Sequence, residues 1–165
     1  MSNKMKAWLA LGVILLTLVV LGYRTYLQIF EEPWESEQRA EQIAIRSSDM
    51  NQVDNTEIYN GEKSYVIVYG KDEQEDSMIV WVGEEEGDVT ARYAKDGITE
   101  NILEQQLKKS SPEKEIIRIV PGKWEDELVW EVFYKQDEEQ GDRHYYDFYR
   151  FSDGELLETY TMSIR

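Results

Sequence analysis

The stretch Thr99–Ser110, TENILEQQLKKS, is the most informative part of this strand-rich chain because it predicts a helix between two groups of strands. Thr99 is a residue type that caps helix N-termini, and Ile98 and Leu103 stand at the spacing of a hydrophobic staple. Pro112 follows the stretch, which is typical of a helix end. The predicted helix has an apolar stripe at helical spacing, formed by Ile102, Leu103 and Leu107.

An earlier segment has the same character. Ser36–Met50 (SEQRAEQIAIRSSDM) carries small and apolar residues on one helical stripe, with charged residues elsewhere. Strand-like stretches with turn signals between them follow each of the two helices. After the first helix they are Thr56–Tyr59, Lys63–Tyr69, Ser77–Val82 and Asp88–Ala94, and after the second they are Glu115–Val120, Leu128–Lys135, Arg143–Phe151 and Leu156–Ile164.

The two halves repeat at a nearly constant offset. The predicted helix starts, Ser36 and Thr99, are 63 residues apart, and the turns that hold Gly87 and Gly154 are 67 apart. We therefore predict an α+β protein with two repeats, 36–97 and 98–165, each one helix packed on an antiparallel meander sheet. A single α+β domain with coincidental spacing is the alternative. Units of this size are marginal alone, so the two repeats are expected to pack together.

The strands of the second repeat are apolar on both faces. Successive residues of a strand point to opposite faces of its sheet. In Leu128–Lys135 and in Arg143–Phe151, large apolar residues occur at both odd and even positions, and hence on both faces. One helix covers only one face of a sheet, so the other face must meet the other repeat, the membrane-proximal linker or another protein. This pattern favours binding over catalysis, and the aromatic residues predicted for a partner interface are Trp130, Tyr146 and Tyr149.

The N-terminal region predicts a membrane anchor. Ala7–Tyr23 (AWLALGVILLTLVVLGY) contains no charged residue, and Lys4 and Lys6 precede it. The positive-inside rule then leaves a cytoplasmic tip, 1–6, and places the remainder outside the cell. We assign the anchor to 7–27 and a short linker to 28–35. A cleavable secretory signal is the alternative, although Leu-Gly-Tyr-Arg stands where small residues are required for cleavage.

The region beyond the anchor is strongly acidic. All 34 Asp and Glu lie after residue 30, against 15 of the 18 Lys and Arg, so this region carries a net charge of −19. Such a charge repels nucleic acid, and we therefore predict no nucleic-acid partner. The chain has no cysteine, so no disulfide holds the exported region together.

Residue types that carry chemistry are few. His144 is the single histidine and hence the single candidate base for a nucleophilic triad. Ser111 and Lys114 fit a Ser-x-x-Lys spacing, but at a helix-ending proline and without the companion motifs. The acidic runs lack the calcium-loop spacing, and zinc would need more His or Cys. We predict no catalytic residue, no cofactor and no metal site, although a pair of carboxylates in a cleft stays open as a hydrolase alternative.

Several stretches together resemble the TseB-like (YpmB-like) family of Gram-positive cell-wall elongation regulators. The likeness covers nearly the whole chain and is carried by packing and turn residues. These are Trp34, Ala40, Ala44, Tyr65–Tyr69 (YVIVY), Val120-Pro121-Gly122, Val129-Trp130-Glu131-Val132, Tyr145-Tyr146-Asp147-Phe148 and Asp153-Gly154-Glu155.

The resemblance implies two cystatin-like (PepSY-like) domains without catalytic residues. It further implies an extracytoplasmic adaptor that binds a class B penicillin-binding transpeptidase during wall elongation. The alternatives are a PepSY-type inhibitor or chaperone of an exported peptidase, and a wall-polymer hydrolase that uses a carboxylate pair.

Overall fold

The computed structural model describes residues 3–85, 87–138 and 141–162, with the side chains of the first helix described at 12–23 and from 36 onward. The chain divides into two compact units, Met1–Arg39 and Ala40–Arg165. The first helix, α1, spans Asn3–Ser47 and so belongs to both units.

In the N-terminal unit, α1 presents exposed apolar side chains such as Val13, Leu15 and Val19. The described residues include no helix whose length and apolar character would allow it to cross a membrane. Of the predicted anchor, 7–27, only 12–23 have described side chains. The tip 1–6, the linker 28–35 and Trp34 lie outside the described side chains.

The backbone of 28–35, the segment assigned as the linker, is helical within α1. The segment QIFEEPWE is rich in Glu and Gln, which lose little side-chain freedom in a helix. The helix ends at Ser47, three residues before the predicted end at Met50.

The second unit begins with a four-stranded antiparallel sheet, sheet A, in which neighbours along the chain are neighbours in the sheet. A short 3-10 helix at Ala94–Asp96 follows it. The four strands of sheet A are β1 (Gln52–Asn60), β2 (Ser64–Lys71), β3 (Ser77–Gly83) and β4 (Val89–Tyr93).

The second helix, α2, spans Glu100–Ser110 and confirms the predicted cap. The Thr99 side chain accepts a hydrogen bond from the backbone N–H of Ile102 at 3.4 Å. Ile98 and Leu103 are both buried, as a hydrophobic staple requires. The cap and staple are local in sequence, which explains why the start of α2 was predictable.

A second four-stranded antiparallel sheet, sheet B, follows α2 in the same meander order. Of the predicted last strand, 163 and 164 lie outside the described residues. The chain is thus α+β, with two separate four-stranded antiparallel sheets. The strands of sheet B are β5 (Lys114–Trp124), β6 (Glu127–Gln136), β7 (Arg143–Arg150) and β8 (Leu156–Met162).

Sheet A is covered on both faces. The last turns of α1 place Ala40 and Ala44 against one face, where both are almost fully buried. Small side chains allow the helix backbone to approach the sheet closely. This first core also contains Met50, Val68, Met78, Val80 and Val82.

The other face of sheet A shares a core with α2 and sheet B. Phe151 joins the two sheets: its ring meets Trp81 edge-on at 5.5 Å and stacks with Trp130 at 5.9 Å between ring centroids. This common core makes the two sheets parts of one compact unit. Its other buried members are Tyr59, Tyr65, Ile67, Ile79, Ile98, Leu103, Leu107, Val120, Val132, Tyr134 and Tyr149.

Candidate protein-binding surface

The second face of sheet B carries a cluster of aromatic and apolar side chains, which we call the outer aromatic surface. Register partners in an antiparallel sheet share a face. Phe133 pairs with Tyr146 across β6 and β7, and Tyr146 pairs with Tyr160 across β7 and β8. The surface is defined by Trp124, Phe133, His144, Tyr146, Phe148, Tyr160 and Met162.

Ring contacts hold the outer aromatic surface in one arrangement. Phe133 stacks with Tyr146 at 4.7 Å and with His144 at 5.5 Å between ring centroids. Phe148 stacks with Trp124 at 5.7 Å and meets Tyr160 edge-on at 5.8 Å. Rings fixed by their neighbours lose little side-chain entropy when a partner binds, so the surface is preorganised for contact.

Exposure increases across the outer aromatic surface toward its edge. Phe148 is 8 % exposed, whereas Tyr160 and Met162 on the edge strand β8 are 50 % and 42 % exposed. Tyr146 is intermediate. Tyrosine and methionine at such positions offer apolar contact area, and tyrosine adds a polar end for hydrogen bonding.

The three residues predicted for an interface do not lie together. Trp130 and Tyr149 are register partners on the inner face of sheet B, 2 % and 7 % exposed. Trp130 donates from Nε1 to the backbone oxygen of Ile98 at 2.9 Å, so it belongs to the shared core. Of the three, only Tyr146 lies on the outer aromatic surface, where its register partner on β8 is the half-exposed Tyr160.

The inner face of sheet B contains a buried carboxylate with a full set of donors. Asp147 is 1 % exposed, and Lys114 Nζ lies 2.6 Å from its Oδ2. Tyr149 donates its hydroxyl to the same oxygen at 2.9 Å, while Tyr134 and Thr159 donate to Oδ1 at 3.2 and 2.7 Å. Burial and the nearby carboxylate raise the pKa of both tyrosines. Every acceptor site is occupied, which identifies a structural network.

The same network contains Lys114, the lysine of the Ser-x-x-Lys spacing. The Lys114 ammonium lies 4.4 Å from the centroid of the Tyr134 ring in addition to its contact with Asp147. Ser111 is the C-cap residue of α2. The partly buried Lys114 ammonium is thus directed at Asp147 and the Tyr134 ring, and this arrangement presents no base to Ser111.

A second ion pair borders the outer aromatic surface. Arg118 Nη2 lies 2.8 Å from Oε1 of Glu131, which is 4 % exposed. Burial raises the pKa of the Glu131 carboxyl, and Arg118 offsets this only in part. Burial also raises the pKa of Tyr59, and the charge of Glu131 adds to the effect. Glu131 is therefore a charged group in an apolar environment.

The remaining titratable candidates lie in other places. His144 stacks on Phe133, and its Nδ1 is buried without a hydrogen-bond partner among the described residues. Within 3–85, 87–138 and 141–162, no three His, Cys, Asp or Glu side chains are grouped as a metal site requires. Asp137 and Asp142 do meet, in the exposed β6–β7 hairpin, where Asp142 hydrogen bonding raises the pKa of Asp137. This pair lies on a hairpin of which residues 139 and 140 are outside the description.

Comparison with known proteins identifies relatives among cell-wall regulators. Residues 39–83, from the last turns of α1 through β3, match the family described as "Cell wall elongation regulator TseB-like domain". A relative from Bacillus subtilis (strain 168), "Probable cell wall elongation regulator TseB", is 27 % identical over 154 residues, which cover 91 % of this chain and 92 % of the relative. The resemblance to the TseB-like family is confirmed.

A solved structure supports the fold. It is described as "YpmB protein from Bacillus subtilis" and superimposes with a TM-score of 0.68 at 24 % identity. The match covers 78 % of this chain and 98 % of the other. At this level of identity the likeness shows the fold.

Sequence reasoning missed most of the outer aromatic surface. Phe133 and Tyr160 were not selected, although each occupies an alternate position in a predicted strand. Phe133 and Trp130 are three positions apart in β6, so the alternation of side chains along the strand already predicted that they lie on opposite faces. What it could not supply was the register between β6 and β7.

Proposed function

We propose that this chain is a non-enzymatic, membrane-anchored regulator of cell-wall elongation that acts by binding a class B penicillin-binding transpeptidase. The observation that carries the proposal is the relative named as a probable cell wall elongation regulator, which matches along almost the whole chain. A surface suited to a protein partner supports it. The two halves, 36–97 and 98–165, would be cystatin-like repeats that serve as the scaffold of this surface.

The anchor is proposed from the sequence. Ala7–Tyr23 is uncharged, and at about 1.5 Å rise per residue it is about 25 Å long as a helix, which approaches the thickness of the hydrocarbon core. Lys4 and Lys6 favour a cytoplasmic N-terminus. An adaptor held at the membrane meets a membrane-bound partner at raised effective concentration.

The chain has no cysteine, so its topology can be tested with single introduced cysteines. In intact cells, a membrane-impermeant maleimide should label Asn60→Cys and leave Ser2→Cys unlabelled until the membrane is permeabilised. Asn60 is exposed at the end of β1. Equal labelling of both positions in intact cells would contradict the proposed topology, and loss of the N-terminal position from the mature protein would indicate a cleaved signal.

The docking face is proposed to be the outer aromatic surface. Tyr146 and Tyr160 present aromatic area on the face of sheet B opposite to the one that shares its core with α2. Aromatic side chains held by stacking are typical anchors of protein interfaces. An acidic domain surrounding them would favour a partner with a basic docking patch.

In-cell photo-crosslinking tests the partner. A photoreactive amino acid at Tyr146 or Tyr160 should crosslink a penicillin-binding protein, whereas the same amino acid at Ile102, 48 % exposed on α2, should not. Crosslinks that reach an exported peptidase would favour the inhibitor alternative. Crosslinks only between copies of this chain would replace the adaptor with a homo-oligomer.

The hydrolase alternative has its own test. Purified full-length protein should release no muropeptides from isolated cell wall. Release that is lost when one acidic pair is mutated would overturn the non-enzymatic proposal.

A further inference from the structure

A groove of about 220 Å³ opens where sheet A, the start of α2 and sheet B meet. Its floor contains Ile79 from β3, Ile98 before α2 and Trp130 from β6. These residues are at most 8 % exposed, so the floor consists of the edges of core side chains. An apolar cavity of about 150 Å³ can hold benzene. The groove therefore has room for one aliphatic side chain of medium length.

The rim of this groove is acidic. Asp54 and Glu100 line it, and Glu57 accepts a 3.1 Å hydrogen bond from the hydroxyl of Tyr69, which also lines it. Burial raises the pKa of Glu100, and the nearby carboxylates of Glu57 and Glu104 raise it further. The carboxylates near the rim thus repel one another electrostatically.

Two carboxylates at the groove, Glu100 on its rim and Glu57 beside Tyr69, have no ion-pair partner in the described part of the chain. By contrast, Glu104, one turn further along α2, pairs with Lys108 at 2.7 Å. An apolar floor beneath unpaired carboxylates complements a side chain with an aliphatic stem and a cationic end. Lysine and arginine have this form and commonly bury the stem along apolar surface.

We propose that the Glu100 groove, lined by Asp54, Tyr69, Ile79, Ile98, Glu100 and Trp130, binds a lysine or arginine side chain presented by a partner protein. The aliphatic stem lies on Ile79 and Ile98, and the cationic end lies against Glu100. The net charge of −16 favours the approach of such a basic partner. This inference rests on the proposed function only in assuming that the partner is a protein. It does not depend on the proposed docking face, because the groove is separate from the outer aromatic surface.

The groove is tested by NMR on the full-length chain with 13C-labelled isoleucine methyl groups. The probe is Nα-acetyl-lysine methylamide, and the norleucine analogue has the same stem without the ammonium. The lysine probe should shift the Ile79 and Ile98 signals saturably and leave the exposed Ile102 and Ile117 unchanged. The norleucine probe should bind roughly fivefold more weakly, the range of one exposed ion pair, and the glutamate analogue should not bind.

A charge variant separates the groove from general electrostatic attraction. Glu100→Gln should weaken binding of the lysine probe roughly fivefold and leave the norleucine probe unchanged. Glu104→Gln, the matched control on the same helix, should weaken it by less than about twofold, because Glu104 already pairs with Lys108. Equal binding of the lysine and norleucine probes, an unaffected Glu100→Gln variant, or no saturable shift would each overturn the proposal. Such a failure leaves crosslinking from Tyr146 and Tyr160 unaffected, so the two proposals fail separately.

Discussion

Sheet A and sheet B have the same four-stranded meander but differ in what covers them. The last turns of α1 cover one face of sheet A, and the common core covers the other, so that Ile67, Val68, Val80 and Trp81 are completely buried. Sheet B packs its inner face on the common core, which reaches the second face only beside β5, where Val120 is buried and Tyr59 lies next to Glu131. Its other face carries the outer aromatic surface, in which Tyr160 is half exposed.

Two sheets of the same architecture can therefore contribute differently to the stability of the chain. In sheet A both faces contribute to stability, because apolar area on each is removed from water. In sheet B only the inner face does so fully, and the outer face is available for a partner. Substitutions should therefore affect stability in sheet A and binding in sheet B.

The largest expected effect tests sheet A. Trp81→Ala removes a fully buried indole that contacts Phe151, and we expect a loss of about 3–5 kcal/mol in the free energy of unfolding. Trp124→Ala, which removes the same side chain from the half-open face of sheet B, should cost about 1 kcal/mol. Denaturant unfolding of the full-length chain measures both. Equal losses would remove the distinction between the two sheets.

A smaller loss is expected where α1 packs on sheet A. Ala44→Leu forces a larger side chain into a fully buried position, which we expect to destabilise the fold by about 1–3 kcal/mol. Gln42→Leu introduces the same side chain at an exposed position of α1 and should change stability by less than about 0.5 kcal/mol. Thermal unfolding compares the two variants. An unaffected Ala44→Leu variant would mean that α1 does not close this face of the sheet.

The pH dependence of stability provides a test of sheet B. Burial raises the pKa of Glu131 in the folded state above its unfolded value of about 4.3, in spite of Arg118. The folded state therefore binds the proton of the Glu131 carboxyl more tightly than the unfolded state does. The stabilisation that this gives is fully present below about pH 4.3 and is lost as pH rises through the pKa of the folded state. Glu131→Gln should remove this loss, so the melting temperature of the wild type should fall relative to that of the variant as pH rises.

The matched control for this measurement is Glu158→Gln. Glu158 lies in the same register row of sheet B, through Phe148, but it is exposed on β8. This variant makes the same chemical change at an exposed position of the sheet, so the effect of Glu131→Gln is measured against it at each pH. An effect of Glu131→Gln that stays constant with pH would contradict the buried state of its carboxylate.

The smallest effect on stability is expected at the edge of the outer aromatic surface. Tyr160→Ser should change the free energy of unfolding by less than about 0.5 kcal/mol because the ring is half exposed. The same change should reduce partner crosslinking from Tyr146, whereas Ile102→Ser, at an equally exposed apolar residue of α2, should leave it intact. If Tyr160→Ser unfolds the chain, the outer face is part of the core and its proposed docking role is wrong.

Local sequence was sufficient for most of the elements. The start of α2 follows from Thr99 and its staple, which act within a few residues. Alternation and turn residues located all eight strands, but β1 and β5 extend four residues beyond their predicted ends, to Gln52 and Trp124. The added residues are held by cross-strand pairs such as Gln52 with Lys71 and Trp124 with Glu127. Pro121 lies within the extended part of β5, and an edge strand tolerates proline because one side of it needs no N–H donor.

The candidate surface depended on register, which strand periodicity does not contain. Alternation alone places Trp130 and Phe133 on opposite faces of β6, and Tyr146 and Tyr149 on opposite faces of β7. Only the pairing of Phe133 with Tyr146 and of Trp130 with Tyr149 decides which aromatic residues share a face. A shift of one residue would exchange the buried and open faces. Residues close together in the sequence thus determined which segments form helices and which form strands. Strand pairing between distant residues, which exists only in the folded chain, determined which face of sheet B is core and which is open.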